Sequence, residues 1–104
     1  MKLSLIVPCY NEAGNVRAFY DAAAAAFAPE SFSYEMIFVD DGSRDGTMDA
    51  LAALYALDPA RVRVISFSRN FGKESAIFAG LKAAHGDCAA LIDADLQQQP
   101  EVVV

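Results

Sequence analysis

Four strand-like runs, Leu3–Val7, Met36–Val39, Val62–Phe67 and Cys88–Ile92, are separated by three longer stretches with helical spacing. Mainly apolar runs without polar alternation predict strands buried on both faces. Such strands, each followed by a helix, predict an α/β fold of three layers, α/β/α, around a mostly parallel sheet. The helical stretches cover residues 13–27, 46–57 and 73–85. Their expected apolar stripes are Val16, Phe19, Ala23 and Phe27, then Met48, Leu51, Ala52 and Tyr55, then Ile77, Gly80, Leu81 and Ala84. Pro8 is expected to end the first strand, Asp58-Pro59 to break the second helix, and Gly86 to cap the third.

The 104 residues fit a single domain, 1–104, and at 55% hydrophobic the chain is too apolar to be disordered. The formal net charge of −6 argues against nucleic acid as a partner, because phosphate backbones are bound by clustered Lys and Arg. An anionic small ligand would need a cation to hold it. Cys9 and Cys88 form no metal or redox spacing, which predicts reduced thiols and a cytoplasmic location. No apolar run reaches the roughly 20 residues that span a bilayer. The opening MKLSLIVP is too short for a signal-peptide core.

Open parallel sheets bind ligands beyond the carboxyl ends of their strands. The residues expected there are Pro8-Cys9-Tyr10-Asn11-Glu12, Asp40-Asp41-Gly42-Ser43, Ser68-Arg69-Asn70-Phe71-Gly72-Lys73 and Asp93-Ala94-Asp95. Most of the unusual polar clusters of the sequence thus fall on one edge. Asp93 and Asp95 stand two apart, so in an extended segment both carboxylates face the same way. Such hard oxygens suit Mg²⁺ or Mn²⁺, and Gln97 can add a carbonyl. The same acids can equally be an exposed turn ahead of a helix starting at Pro100-Glu101. Asp40 or Asp41 can accept a hydrogen bond from a base or ribose, while Asp41, Ser43 or Asp45 can simply cap a helix. Tyr10 can stack on a base and Glu12 can accept from a ribose, or the loop can be plain polar surface with Asn11 as a cap. Arg69 and Lys73 flank a helix entrance that favours anions. His85, the sole histidine, sits at an expected helix end and carries no catalytic assignment. No G-x-G-x-x-G and no Walker A sequence occurs, which disfavours a dehydrogenase or a P-loop enzyme.

Taken in order, "VPCYNE", "DDGSRDGT", "SRNFGKESA" and "LIDADLQQQPE" resemble the nucleotide-sugar domain of family 2 glycosyltransferases. The likeness is to the branch acting on polyprenyl phosphates, dolichyl-phosphate mannose synthases and bactoprenyl glucosyltransferases. It covers essentially the whole chain and implies the N-terminal, nucleotide-binding half of a GT-A (Rossmann-like) fold, continuing beyond Val104. The implied activity is inverting transfer of a hexose from a UDP- or GDP-sugar to a polyprenyl phosphate, at the cytoplasmic face of a membrane. A binding fragment without turnover is the alternative for these 104 residues alone. The resemblance implies that Pro8, Tyr10 and Glu12 hold base and ribose, and that Asp41, with Asp40 beside it, contacts the base. It also implies that Asp93 and Asp95 position the diphosphate through Mg²⁺ or Mn²⁺ with Gln97 as a further ligand, and that Arg69 and Lys73 lie near the donor. Relatives often carry an acid and a second proline where this chain has Gln98 and Gln99. An open sheet edge and the apolar Val102-Val103-Val104 predict self-association of the isolated chain.

Overall fold

The computed structural model describes residues 2–29 and 33–92. The elements run β1 (Lys2–Cys9), α1 (Val16–Phe27), β2 (Ser33–Asp40), α2 (Thr47–Leu57), β3 (Val62–Ser66), α3 (Lys73–Ala83) and β4 (Cys88–Leu91). Among the described residues the sheet has four strands in the order β3-β2-β1-β4, all pairings parallel. The order runs outward from β1 through β2 to β3, then returns to place β4 on the other side of β1. That reversal is the point where such sheets open a crevice.

Both faces of the two central strands are buried, as their uninterrupted apolar character requires. Leu3, Leu5, Val7 and Cys9 of β1 join Met36 and Phe38 of β2 beneath Val16, Phe19, Ala23 and Phe27 of α1 and Leu51 and Leu54 of α2. Ile6, Ile37 and Val39 point the other way and meet Ala76 of α3. Each fully buried large apolar side chain contributes about 1.5–3 kcal/mol of transfer free energy. Gly80 lets α3 lie close to β1, for a Cβ there would stand 2.4 Å from Ile6 Cγ2.

Several local expectations differ from the structure. β1 continues through Pro8 to Cys9. Among the described residues, pairing with β4 ends at Ile6, so the missing proline amide costs no bond on that side. α1 begins at Val16, after a turn in which Glu12 C=O accepts the amides of Asn15 and Val16. α2 buries Thr47, Leu51 and Leu54, leaving Ala52 and Tyr55 exposed. Its sequence is apolar on nearly every side, so the neighbours rather than the periodicity select the buried stripe. α3 buries Ala76 and Gly80, while Leu81 is 50% exposed. Gly86 does not cap α3, whose cap residue is Ala84 in extended conformation. Instead, the Gly86 amide donates to Ser4 Oγ, and a Cβ at Gly86 would lie 2.5 Å from that oxygen. Glycine is needed there for close approach to β1.

Candidate functional site

The loops after β1 and β2 are tied together by side chains that accept backbone amides. Ser43 Oγ accepts the Asn11 amide, and Asn11 Oδ1 in return accepts the Arg44 amide, both at 2.9 Å. Asn11 holds a left-handed backbone with φ 54°, a conformation asparagine tolerates better than most residues. Thr47 Oγ1 accepts the Glu12 amide and Asp45 Oδ2 accepts the Ala13 amide. Asp45 Oδ1 also takes the hydroxyl and the amide of Thr47, the first residue of α2. The Thr47 hydroxyl is the main cause holding the Asp45 carboxyl below its ordinary range; desolvation opposes it, and the Thr47 and Ala13 amides add to the lowering. Much of the "DDGSRDGT" motif is therefore committed to joining loops.

The turn after β2 also fixes the loop that leads from β3 into α3. Asp40 C=O accepts the Phe67 amide, extending the ladder past Ser66. Asp41 is buried, and its Oδ1 and Oδ2 accept the amides of Phe71 and Gly72 at 2.8 and 3.1 Å. Gly42 has φ +72°, and a Cβ on it would lie 2.2 Å from the Arg69 carbonyl carbon. Only glycine permits both that backbone and that approach. The Arg69 guanidinium stacks over the Phe71 ring, 4.6 Å from its centroid.

Between these loops lies a cavity of about 300 Å³, lined by Tyr10, Asp40, Gly42, Ser43, Arg44, Met48, Ser66, Phe67, Ser68, Arg69 and Asn70. Its chemistry is mixed: two aromatic rings, a buried carboxylate, two guanidiniums and several hydroxyls. Tyr10 is 46% exposed. Asp40 is buried, with Oδ1 accepting the Ser43 amide. Among the residues expected at the site, the cavity gathers Tyr10, Asp40 and Arg69. Pro8 lies within β1, Glu12 is engaged through Oε1 with the Asn15 side chain, Asp41 faces the α3 entrance, and Lys73 opens α3. Ser43, read from sequence only as a possible cap, and Asn70, read only as part of a strand-end cluster, join the lining, as do Arg44 and Ser66, which fall outside those clusters. Cys9 is buried and donates weakly to Val7 C=O. Burial, and then the Glu12 and Asp40 charges, push its thiol far above the usual range.

Asp93, Asp95 and Gln97 lie outside the described residues, as do Gln98, Gln99, Pro100, Glu101 and the Val102–Val104 tail. They follow β4, whose pairing with β1 runs from Cys88 to Leu91. Two carboxylates and an amide carbonyl are a donor set that fits Mg²⁺ or Mn²⁺. Among the described residues no other group of three or more His, Cys, Asp or Glu competes for a metal. No helix among them is long and apolar enough to cross a membrane.

Residues 4–103 match the family described as Glycosyl transferase family 2. The chain is 45% identical over 103 residues to a prophage bactoprenol glucosyl transferase homolog from Escherichia coli, covering 99% of this chain and 33% of that protein. It is 43% identical over 95 residues to a putative glycosyltransferase, CsbB, from Bacillus subtilis, covering 91% of this chain and 29% of that one. The chain thus spans about a third of the length of the curated relatives it matches. Among solved structures, it resembles a mannosyltransferase from Pyrobaculum calidifontis in complex with GDP-Man and Mn²⁺, with a TM-score of 0.80 and 29% identity, over 89% of this chain and 27% of that one. S. aureus TarS in complex with UDP-GlcNAc gives a TM-score of 0.70 and 28% identity, over 91% of this chain and 27% of that one. The four-stranded parallel sheet with its helices is accordingly that of the GT-A glycosyltransferases.

Proposed function

The chain belongs to glycosyl transferase family 2, and from that premise we propose that it transfers a hexose from a nucleoside diphosphate sugar to a polyprenyl phosphate. The observation that carries the reading is the cavity beyond the carboxyl ends of β2 and β3, where Tyr10, Asp40 and Arg69 converge. The Tyr10 ring stacks on the base. The Asp40 carboxylate accepts from a base N–H, and Arg44 and Arg69 supply positive charge to an anionic ligand in an otherwise acidic chain. Pro8, Glu12, Asp41 and Lys73 are proposed to complete the surround of the donor. The names of the bactoprenol glucosyl transferase relatives support the acceptor, and the transferases among the matches disfavour a module that only binds.

Asp93 and Asp95, with Gln97, would hold a Mg²⁺ or Mn²⁺ ion, and the chemistry it would supply is Lewis-acid stabilisation of the diphosphate leaving group. In the proposed reaction an acceptor phosphate oxygen forms the new bond to the anomeric carbon as the bond to the donor diphosphate breaks, inverting that centre. That oxygen is already anionic, so no strong general base is required. The cytoplasmic face of a membrane is where such a donor and a lipid-linked acceptor would meet. Binding of UDP-glucose, UDP-GlcNAc and GDP-mannose, each with and without Mn²⁺, tests the reading. One of the three is expected to bind in a metal-dependent way that Asp95→Ala abolishes. Metal-independent binding, or binding indifferent to Asp95→Ala, overturns the metal role.

For the 104 residues alone the proposal includes self-association through the open edge of β4, where Cys88, Ala89 and Leu91 are exposed. A concentration-dependent sedimentation coefficient is expected, and a monodisperse monomer at high concentration rules it out.

A further inference from the structure

We propose that the open edge of β3 is a docking site for an extended peptide of a partner protein, one in which apolar and acidic residues alternate. Among the described residues β3 pairs with β2 alone. It stands at the end of the sheet away from β4, where the chain leaves those residues. The Met36 amide donates to Arg61 C=O and the Phe67 amide to Asp40 C=O, so the odd-numbered residues here turn their backbone groups toward β2. Those of Val62, Val64 and Ser66 therefore turn outward. The Val62 amide is taken by Asp58 C=O. That leaves the amides of Val64 and Ser66, with the carbonyls of that flank, open to a further strand among the described residues.

Beside this edge lies a cavity of about 460 Å³, lined by Met48, Ala52 and Tyr55 of α2 and by Arg63, Val64 and Ser66 of β3. Its size falls within that of ligand clefts, about 300–1,000 Å³. It gives a use to the apolar side of α2 that the core leaves over, where Tyr55 is 51% exposed. The two faces of β3 differ in chemistry. Val64 packs on the α2 side, against the larger core cluster, whereas Arg63 reaches the α3 side and donates to Ala83 C=O. A strand added alongside would repeat that alternation, because successive residues point to opposite faces. Its apolar side chains would enter the cavity over Val64, and its carboxylates would face Arg63, whose side chain is 40% exposed. Charge favours an acidic occupant. Of the arginines Arg17, Arg44, Arg61, Arg63 and Arg69, all but Arg17 lie in β3 or in the loops beside its ends, in a chain of net charge −6. Asp58 and Glu35 offset Arg61 and Arg63 in part. Arg44 and Arg69 line the neighbouring cavity, which shares Met48 and Ser66 with this one. The same charges disfavour a second copy of this chain, which would set two such rows against each other.

The test uses the full-length protein and a fluorescein-labelled peptide, Glu-Val-Glu-Phe-Glu-Val-Glu, blocked at its carboxyl end. Its controls are the scrambled Val-Val-Phe-Glu-Glu-Glu-Glu and two forms N-methylated on alternate residues, one in each phase. Binding is read by fluorescence anisotropy and amide hydrogen exchange by NMR. The alternating peptide is expected to bind and to slow exchange at the Val64 and Ser66 amides about tenfold or more. The amides of Arg63 and Ile65, already paired with β2, should not change. The scrambled peptide and one of the two N-methylated forms should bind about tenfold more weakly, because one lacks the alternation and the other the edge-facing amides. Val64→Pro, which removes only an outward amide, and Tyr55→Asp, which places a like charge in the groove, should each weaken binding by about the same factor. Tyr55→Asp changes an exposed side chain, so it decides the matter even if Val64→Pro folds poorly. No slowing at Val64 and Ser66 up to the solubility limit of the peptide overturns the proposal, as does equal binding of the scrambled peptide or of both N-methylated forms. Protection of these two amides before any peptide is added also overturns it. Protection that grows with protein concentration would assign the edge to a second copy, and protection independent of concentration to another part of the same chain.

Discussion

The Ser4 hydroxyl donates a 2.6 Å hydrogen bond to the Glu35 carboxylate, across two central strands whose register sets these residues side by side. The His85 amide donates to the same carboxylate, and Lys2 and Arg63 each approach it to 3.7 Å. This network occupies the amino-terminal edge of the sheet, opposite the cavity. Burial alone would raise the Glu35 carboxyl, but the Ser4 hydroxyl, the His85 amide and the two cations outweigh it and hold it below the ordinary value. A lowered folded-state value means stability that is present above the unfolded value, near 4.3, and is lost as pH falls through the folded value. Resistance to urea should therefore fall below about pH 4.3, and Glu35→Gln should flatten that decline. An equal slope in the variant would assign the acid sensitivity elsewhere. Glu35→Ala, which strands the Ser4 hydroxyl and the His85 amide, should cost about 3 kcal/mol.

Gly80→Ala should destabilise the fold although alanine is the better helix former. The helix preference favours alanine by about 1 kcal/mol, but the added methyl would meet Ile6 Cγ2 at 2.4 Å, a branched side chain with nowhere to turn. Overpacking of this kind costs about 1–3 kcal/mol. Thermal unfolding should show a lower midpoint, and Ile6→Ala in the same background should recover part of the loss.

Thr47→Val keeps the shape of a fully buried side chain and removes its hydroxyl. The Glu12 amide then loses its acceptor and Asp45 loses a donor. A cost of about 1–3 kcal/mol follows from leaving a buried donor unpaired. The amides of Glu12 and Ala13 should exchange faster, with β1 itself unaffected. Exchange spread evenly across β1 would contradict a local clamp.

Tyr10→Ala should weaken nucleotide-sugar binding through loss of stacking, worth about 1–3 kcal/mol per base, or about tenfold and more. Tyr10→Phe should retain nearly all of the affinity. Equal losses in both would assign the effect to the hydroxyl instead of the ring.

The layers and the strand-end edge were legible because buried parallel strands leave a signature that does not depend on neighbours. Helix faces were legible only where the sequence is amphipathic. The stripe of α1 came out as Val16, Phe19, Ala23 and Phe27, whereas α2 and α3 offer several apolar sides and were turned by their neighbours. At the site, sequence located the clusters but not the division of labour within them. Asp40 and Asp41 are chemically identical and adjacent, and only the third dimension shows which one meets the Phe71 amide. Asp45 and Ser43 likewise read as simple caps and Thr47 drew no reading, because their partners Ala13, Asn11 and Glu12 are more than thirty residues away.

The position of β1 at the interior of the sheet bears on how the chain assembles as it leaves the ribosome. The Lys2 amide is bonded to the Asp87 carboxylate, a pairing across 85 residues. Among the described residues, β1 thus gains this second neighbour only after β2, β3 and the three helices α1 to α3 have been synthesised. Until then one flank of β1 is an unpaired edge on a nascent polypeptide, exposed to other chains and to chaperones. Translation speed through α3 and β4 therefore sets how long that edge stays open.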